Sequence, residues 1–343
     1  MRKKKIENNT TAAEQIPLPV ATETKEKKPR KKREKKIEVV DFNKIKGTRI
    51  EYFDDRFYRF TLPSQIDKQW TENIPSNFIY DSDKENCIDL YIPSVTTILG
   101  NAQPRPFLER WRGDVGNWEA DRRSEEALQK GSNVHRACEL LSNGWAVVYQ
   151  NKKINNITDK DIRAFARKYK CKVHVLHSQE EMVQVARYDK LIKVIQPEIK
   201  ETENVVFDLK ECYAGTLDAR WEVQGGEYKF GRNKFKLEDG NYIVDFKTGK
   251  WFTEDEYFTQ LSAYFNAHLL KDKLAGCIII HLNANIKTGI EGLKVHVKPK
   301  AELEPYFEHF KQLNKVFQFN NKDIIPKLYD IPQVILWKKG KEK

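Results

Sequence analysis

The chain has 343 residues, enough for one large domain or two modest ones, and 39% of them are hydrophobic against 32% charged. Its apolar runs, 277–280 and 146–149 among them, fall far short of the roughly 18 residues that a membrane-spanning helix needs, so a transmembrane protein is not expected. A net charge of +11 points toward a polyanionic partner.

That charge is unevenly spread. Residues 1–40 hold 13 Lys or Arg against six Glu, a surplus of seven. Residues 1–38 also lack any aromatic side chain, so they cannot bury enough apolar surface to offset the entropy of ordering. A disordered basic tail is expected there. Within it, 27–33 (KKPRKKR) reads either as an arm that grips phosphates or as a solubilising tail or nuclear address. Arg2-Lys3-Lys4-Lys5 is followed by no apolar stretch, so no secretory signal is expected. The five cysteines, Cys87, Cys138, Cys171, Cys212 and Cys277, form no C-x-x-C pair, which argues against a disulfide framework or a ribbon-type zinc site. Reduced thiols in a cytosolic-type compartment fit better.

Order is expected from about residue 38. Residues 49–62 are dense in aromatics with partial alternation and read as strands. Ser94 is a plausible helix cap ahead of 95–99. Residues 107–112 look helical, and 119–141 form a longer helical stretch interrupted or joined at Gly131. Residues 161–170 and 179–195 follow as helices, the second ended by Pro197. Strands are then expected over 212–223 and 241–247, with one extra hairpin strand within 227–237. An amphipathic helix over 255–270 leads to strands 277–282 and 293–298, joined through 287–289, and a last helix covers 302–319. A mostly helical first half thus feeds an α/β second half. Residues 320–343 end in the basic run 338–343.

The segment richest in chemistry is Gly215-Thr216-Leu217-Asp218, followed by Asp245-Phe246-Lys247. Each aspartate lies in or at the end of an expected strand, and adjacent strands bring the two carboxylates together. Two close carboxylates repel unless one is protonated or a cation lies between them. Mg²⁺ or Mn²⁺ takes such oxygen ligands and keeps water for chemistry. Alternation along the strand puts Lys247 on the face of Asp245 and Phe246 on the other, though the Phe246 carbonyl could still be a ligand. Lys247 could orient a water or offset charge on a phosphate. Gln260 and Tyr264, four apart, share one helix face. His135 follows Gly131 on a helix and could ligate a metal. Each feature also has an ordinary reading: a strand-end ion pair for Asp245 and Lys247, a solvated helix face for Gln260 and Tyr264, a structural hydrogen bond for His135.

Taken in order, His135, Glu203, Gly215-x-x-Asp218, Asp245-x-Lys247 and Gln260-x-x-x-Tyr264 resemble the PD-(D/E)XK nuclease superfamily, in its RecB-like exonuclease branch. Residues 93–99 (PSVTTIL) and 107–111 (FLERW) are similar to the mitochondrial genome maintenance exonucleases and their phage relatives. The resemblance covers roughly residues 90–285. It implies an α/β fold with a restriction-endonuclease-like mixed β-sheet core flanked by helices, a helical N-terminal elaboration and the disordered basic tail. The corresponding division is a tail over 1–38, a β-rich segment over 39–92 packed on the core, a nuclease domain over 93–320 and a basic extension over 321–343.

By the same resemblance the activity would be metal-dependent hydrolysis of DNA phosphodiester bonds, with exonucleolytic trimming of single-stranded ends in replication, recombination or repair. Asp218 and Asp245 would bind Mg²⁺ or Mn²⁺, with the Phe246 carbonyl, His135 and Glu203 as further ligands. Glu201 and Asp208 compete with Glu203 as the upstream acid. Lys247 would be the catalytic lysine, and Gln260 and Tyr264 would support the site and bind DNA. Lys250 and Arg112 are the further expected contacts to nucleic acid. Trp111, Trp118, Trp145 and Tyr149 could stack on bases or simply pack in the core. Some relatives bind an iron–sulfur cluster through clustered downstream cysteines; none cluster after Cys277, so no such centre is expected. No G-x-x-x-x-G-K-[ST] motif is present, so no ATP use is expected. The setting would be a bacterial or phage-infected cytoplasm, or a nucleus or mitochondrion in a eukaryote, with replication or recombination proteins as possible partners. The alternatives are a catalytically silent DNA-binding or virion structural protein, and a nuclease subunit of a helicase complex.

Overall fold

The computed structural model describes residues 44–52, 55–151, 153, 157–231, 233–269, 271–284 and 292–326. The basic run 27–33, the 287–289 connection and the C-terminal run 338–343 lie outside the described residues.

The first strands are β1 (Thr48–Tyr52) and β2 (Asp55–Pro63), followed by β3 (Ile79–Asp81) and β4 (Cys87–Pro93). They form an antiparallel sheet in the order β1-β2-β4-β3. Phe57, Phe60, Leu62, Leu90 and Ile92 line a core with Leu209, Cys212 and Ala214 from further along the chain. Strand β4 was not foreseen, and it extends the strands expected over 49–62 into a four-stranded sheet. Its alternation of Ile88, Leu90 and Ile92 ends directly at Pro93 and Ser94, which mark a helix start more strongly than a strand end.

Helix α1 (Val95–Ala102) starts where Ser94 Oγ accepts from the Thr97 amide. Thr97 Oγ1 in turn donates to the Arg56 carbonyl at 3.1 Å and accepts from the Arg56 amide at 2.8 Å. This short Ser-Val-Thr-Thr segment therefore fastens α1 to β2. Helix α2 (Pro106–Val115) has no buried residue. Helix α3 (Asn117–Ser142) runs unbroken through Gly131, where an added Cβ would meet Thr248 Oγ1 at 3.1 Å. The glycine is a close approach, not a break.

Strands β5 (Ala146–Tyr149) and β6 (Val173–Leu176), absent from the sequence reading, pair in parallel around α4 (Asp159–Tyr169). Thr158 and Asp161 close a capping box at the start of α4. Helix α5 (Gln179–Ile195) has the expected bounds, with Ser178 capping its start and Gln196 in the left-handed region at its end.

The main sheet comprises β7 (Glu198–Asp208), β8 (Tyr213–Val223), β11 (Gly240–Lys247), β12 (Leu274–His281) and β13 (Lys294–Pro299), with β9 (Gly226–Phe230) and β10 (Asn233–Leu237) as a separate hairpin. The single extra strand expected over 227–237 is therefore two strands turning near Gly231. The sheet order is β13-β12-β11-β8-β7. Strands β11 and β12 are parallel, joined across α6 (Glu254–Ala267), and the other pairs are antiparallel. Strand β7 was missed because its residues Glu198, Lys200, Glu201, Glu203 and Asn204 read as a polar loop. It lies at the sheet edge, where charged residues are tolerated.

One sheet face buries Trp221, Tyr242, Val244 and Phe246 against Val134 and Cys138 of α3 and Tyr188 and Leu191 of α5. The other buries Ile243, Cys277 and Ile279 against α1, α6 and α7 (Glu304–Asn320). The described structure is thus a mixed α/β fold with several sheets and seven α-helices. Among the described residues no helix is long and apolar enough to cross a membrane.

Candidate active site

The site grows from the end of one β-ladder. Strands β8 and β11 pair in register from Gly240 with Val223 to Val244 with Ala219, and there the pairing stops. One step further, Asp245 and Asp218 would stand opposite each other. Instead the strands part, and the Phe246 amide, freed from the ladder, donates to Asp218 Oδ2 at 2.7 Å. On the other side, the β7–β8 ladder passes from Thr202 with Ala219 to Asn204 with Leu217, skipping Glu203 and Asp218. Glu203 there has φ +50°, a conformation that non-glycine residues adopt at a cost. Both neighbours of β8 thus lose regular pairing at Asp218.

His135 arrives from α3, its Nδ1 3.3 Å from Asp218 Oδ2. The imidazole also meets the Phe246 ring edge-on, with centroids 5.8 Å apart. Phe246 itself packs on Tyr188 in the core, which leaves Asp245 and Lys247 on the opposite face. Lys247 Nζ lies 2.8 Å from Asp245 Oδ2 and donates to Gln260 Oε1 at 3.1 Å. Gln260 Nε2 donates to the Tyr264 hydroxyl at 2.9 Å. Tyr257, three residues before Gln260 on the same helix face, places its ring centroid 4.6 Å from the Lys247 ammonium. The sequence reading missed Tyr257, although the 257, 260, 264 spacing carries the signal.

Two glycines in this region have a definite steric role. Beyond Gly131, an added Cβ on Gly215 would fall 2.3 Å from Tyr264 Cε1 and 3.1 Å from Cδ1 and Cζ. The Tyr264 ring therefore lies directly on the β8 backbone, and the glycine motif and the tyrosine motif are two sides of one contact.

Electrostatics follow from burial and crowding. Burial raises the Asp218 carboxyl, but the His135 imidazole and the Phe246 amide outweigh it and hold the group below the usual range. Asp245 goes the other way: burial, with Asp218 adding to it, outweighs Lys247 and raises its carboxyl. Burial works against charge on Lys247 and His135, yet the adjacent carboxylates raise both. Glu203 is exposed as a residue, but partial burial and the Asp218 and Glu139 carboxylates push its carboxyl up to about 7. Water reaching the residue moderates that push.

The three candidates for the upstream acid part ways here. Glu201 is held by Arg220 at 2.7 Å, Asn204 at 2.8 Å and His268 at 3.2 Å. Asp208 caps a turn, accepting from the Lys210 and Glu211 amides. Glu203 is the one whose charge is felt with Asp218 and His135.

Of the other expected contact residues, Lys250 is exposed in the loop after β11, while Arg112 forms an ion pair with Asp121 at 2.7 Å across α2 and α3. Trp118 is exposed, Trp111 and Tyr149 are partly buried, and Trp145 lies under the Lys172 ammonium. Among the described residues no group of three or more His, Cys, Asp or Glu side chains is gathered to hold a metal ion as it stands. Asp245 Oδ2 is buried and lies against the Lys247 ammonium. Compared with models of known families and with curated proteins, the chain matches none.

Proposed function

We propose that the protein is a metal-dependent deoxyribonuclease that acts on single-stranded DNA ends, built on a restriction-endonuclease-like core formed by the five-stranded sheet. The observation that carries this reading is the parting of β8 and β11 at Asp218 and Asp245, with Lys247 tied through Gln260 to Tyr264 beside them.

The donor set suits Mg²⁺ or Mn²⁺. Two aspartates, a third carboxylate on Glu203 and the Phe246 carbonyl are hard oxygen donors, and His135 adds one nitrogen. Burial and the neighbouring Asp218 disfavour charge on Asp245, and Glu203 beside Asp218 is crowded by like charge. A divalent cation relieves both conditions. When bound, the ion supplies an activated water and offsets charge on the phosphate.

The chain's own residues divide the remaining work. Asp218 and Asp245 would hold the ion, with His135, Glu203 and the Phe246 carbonyl around it. Lys247 keeps its proton, because the carboxylates raise it, so it acts as a cation and hydrogen-bond donor rather than as a base. Its ammonium, fixed by Asp245, Gln260 and the Tyr257 ring, is aimed before substrate arrives, and such preorganisation stabilises charge that builds up on a phosphate oxygen. Gln260 and Tyr264 keep the lysine in place. Neither ATP nor an iron–sulfur centre enters this scheme.

The test is cleavage of end-labelled single-stranded and duplex DNA with Mg²⁺ or Mn²⁺, comparing the wild type with Lys247→Ala. Metal-dependent loss of single strands, reduced about 10²–10³-fold or more by the substitution, is expected. Tight, salt-sensitive binding by both proteins with no cleavage would overturn the reading in favour of a binding role.

A further inference from the structure

Phe107 and Trp251 are 67% and 74% exposed, although both are large apolar side chains. Single exposed aromatics need no explanation, but these two face each other from different elements. Their ring centroids lie 6.1 Å apart with planes inclined at 60°, an open wedge rather than a closed stack.

Each arm of the wedge is fixed from beneath. Phe107 sits in the first turn of α2, next to Arg105, whose guanidinium pairs with Glu256 of α6 at 2.5 Å. Trp251 lies in the loop between β11 and α6. The Gly249 carbonyl is 2.7 Å from His281 Nε2, and the Thr248 carbonyl accepts from Asn283 at 3.1 Å. Phe252 stacks on His296 with centroids 3.7 Å apart, and the Tyr257 hydroxyl donates to the Trp251 carbonyl at 3.5 Å. Tyr257 is also the ring that supports the Lys247 ammonium. The wedge is therefore one side chain away from the proposed reacting centre, with the exposed Lys250 adjoining it.

We propose that Phe107 and Trp251 form a stacking platform for an unpaired nucleobase of the strand whose phosphate lies at Asp218, Asp245 and Lys247. This rests on the nuclease reading and deepens it by naming what selects the substrate. Flat, apolar, water-facing rings beside a cationic group fit a base followed by its phosphate, and every base offers a π-face, so recognition is tolerant of sequence. A base inside a duplex has both faces covered by its neighbours. The platform therefore favours single strands and frayed ends over intact duplex.

The test uses the full chain in EDTA with a single-stranded oligonucleotide carrying terminal 2-aminopurine and a distal fluorescein. Stacking is read as 2-aminopurine quenching and affinity as anisotropy. Trp251→Leu and Phe107→Leu change exposed positions, so a folded protein is expected and is checked by circular dichroism. The wild type should quench the probe. Trp251→Leu should lose the quenching and weaken binding about 5- to 150-fold, with Trp251→Phe partly restoring both. Binding and quenching by both leucine variants within twofold of the wild type would overturn the platform, as would failure of the wild type to bind. Cleavage by the wild type in Mg²⁺ is measured separately. Cleavage without quenching removes the platform and leaves the nuclease, whereas quenching without cleavage leaves the platform and removes the nuclease.

Discussion

Replacing Gly215 by alanine probes the contact that joins two of the sequence motifs. The new methyl would fall 2.3 Å from Tyr264 Cε1 and 3.1 Å from two further ring atoms. Gly215 and Tyr264 are both buried, and Tyr264 is held by the hydrogen bond from Gln260, so the ring has little room to retreat. Overpacking of this kind costs about 1–3 kcal/mol. For a domain of this size that lowers Tm by about 2–4 °C per kcal/mol. Any retreat of Tyr264 also drags Gln260 away from Lys247, so cleavage should fall by more than stability alone explains. Urea denaturation of four proteins measures the contact: the wild type, Gly215→Ala, Tyr264→Leu and the double variant. In the Tyr264→Leu background the added methyl has space, so its cost should shrink by about 1 kcal/mol or more, a coupling typical of residues in direct contact. An equal cost of Gly215→Ala in both backgrounds would refute the reasoning, because the methyl would then be meeting something other than the ring.

Three further outcomes are expected. Lys247→Met leaves buried Asp245 without its cation, so stability at pH 8 should drop by about 3–5 kcal/mol. The loss should ease as pH falls, because burial and Asp218 already favour the neutral carboxyl, and a pH-independent loss would contradict the pairing. Glu201 is held down to about 2, first by His268 and then by Arg220 and Asn204, against burial. A depressed carboxylate contributes stability that is present above its unfolded value near 4.3 and lost as pH falls through about 2. Glu201→Gln should therefore cost on the order of 2–3 kcal/mol at pH 7, with the gap to the wild type closing between about pH 4 and pH 2 in urea titrations. Ser94→Ala removes the cap of α1 and the hydroxyl partner of Thr96 and Thr97, and thermal melting should show a loss of about 0.5–2 kcal/mol.

The sequence by itself determined the elements whose signals are local. The end of helix α5 could be read because Pro197 follows it, and a proline stops a helix locally. Strands β8 and β11 were legible as strands, and the order of Asp218, Asp245, Lys247, Gln260 and Tyr264 could be read along the chain. The shared face of Asp245 and Lys247 followed from alternation alone.

Tertiary structure decided the rest, because pairing between distant segments leaves no periodic trace in either one. Edge strand β7 reads as polar, and only its pairing with β8 makes it a strand. Gly131 could interrupt or join a helix as far as its own segment tells, and only Thr248 placed against it shows why a glycine stands there. Glu201, Glu203 and Asp208 are equivalent as letters; Arg220 and His268 claim the first, a turn claims the third, and Glu203 is left beside Asp218. The central feature, a ladder that stops one pair short of two aspartates, depends on where two strands part company, and a carboxylate takes the amide that the ladder gives up.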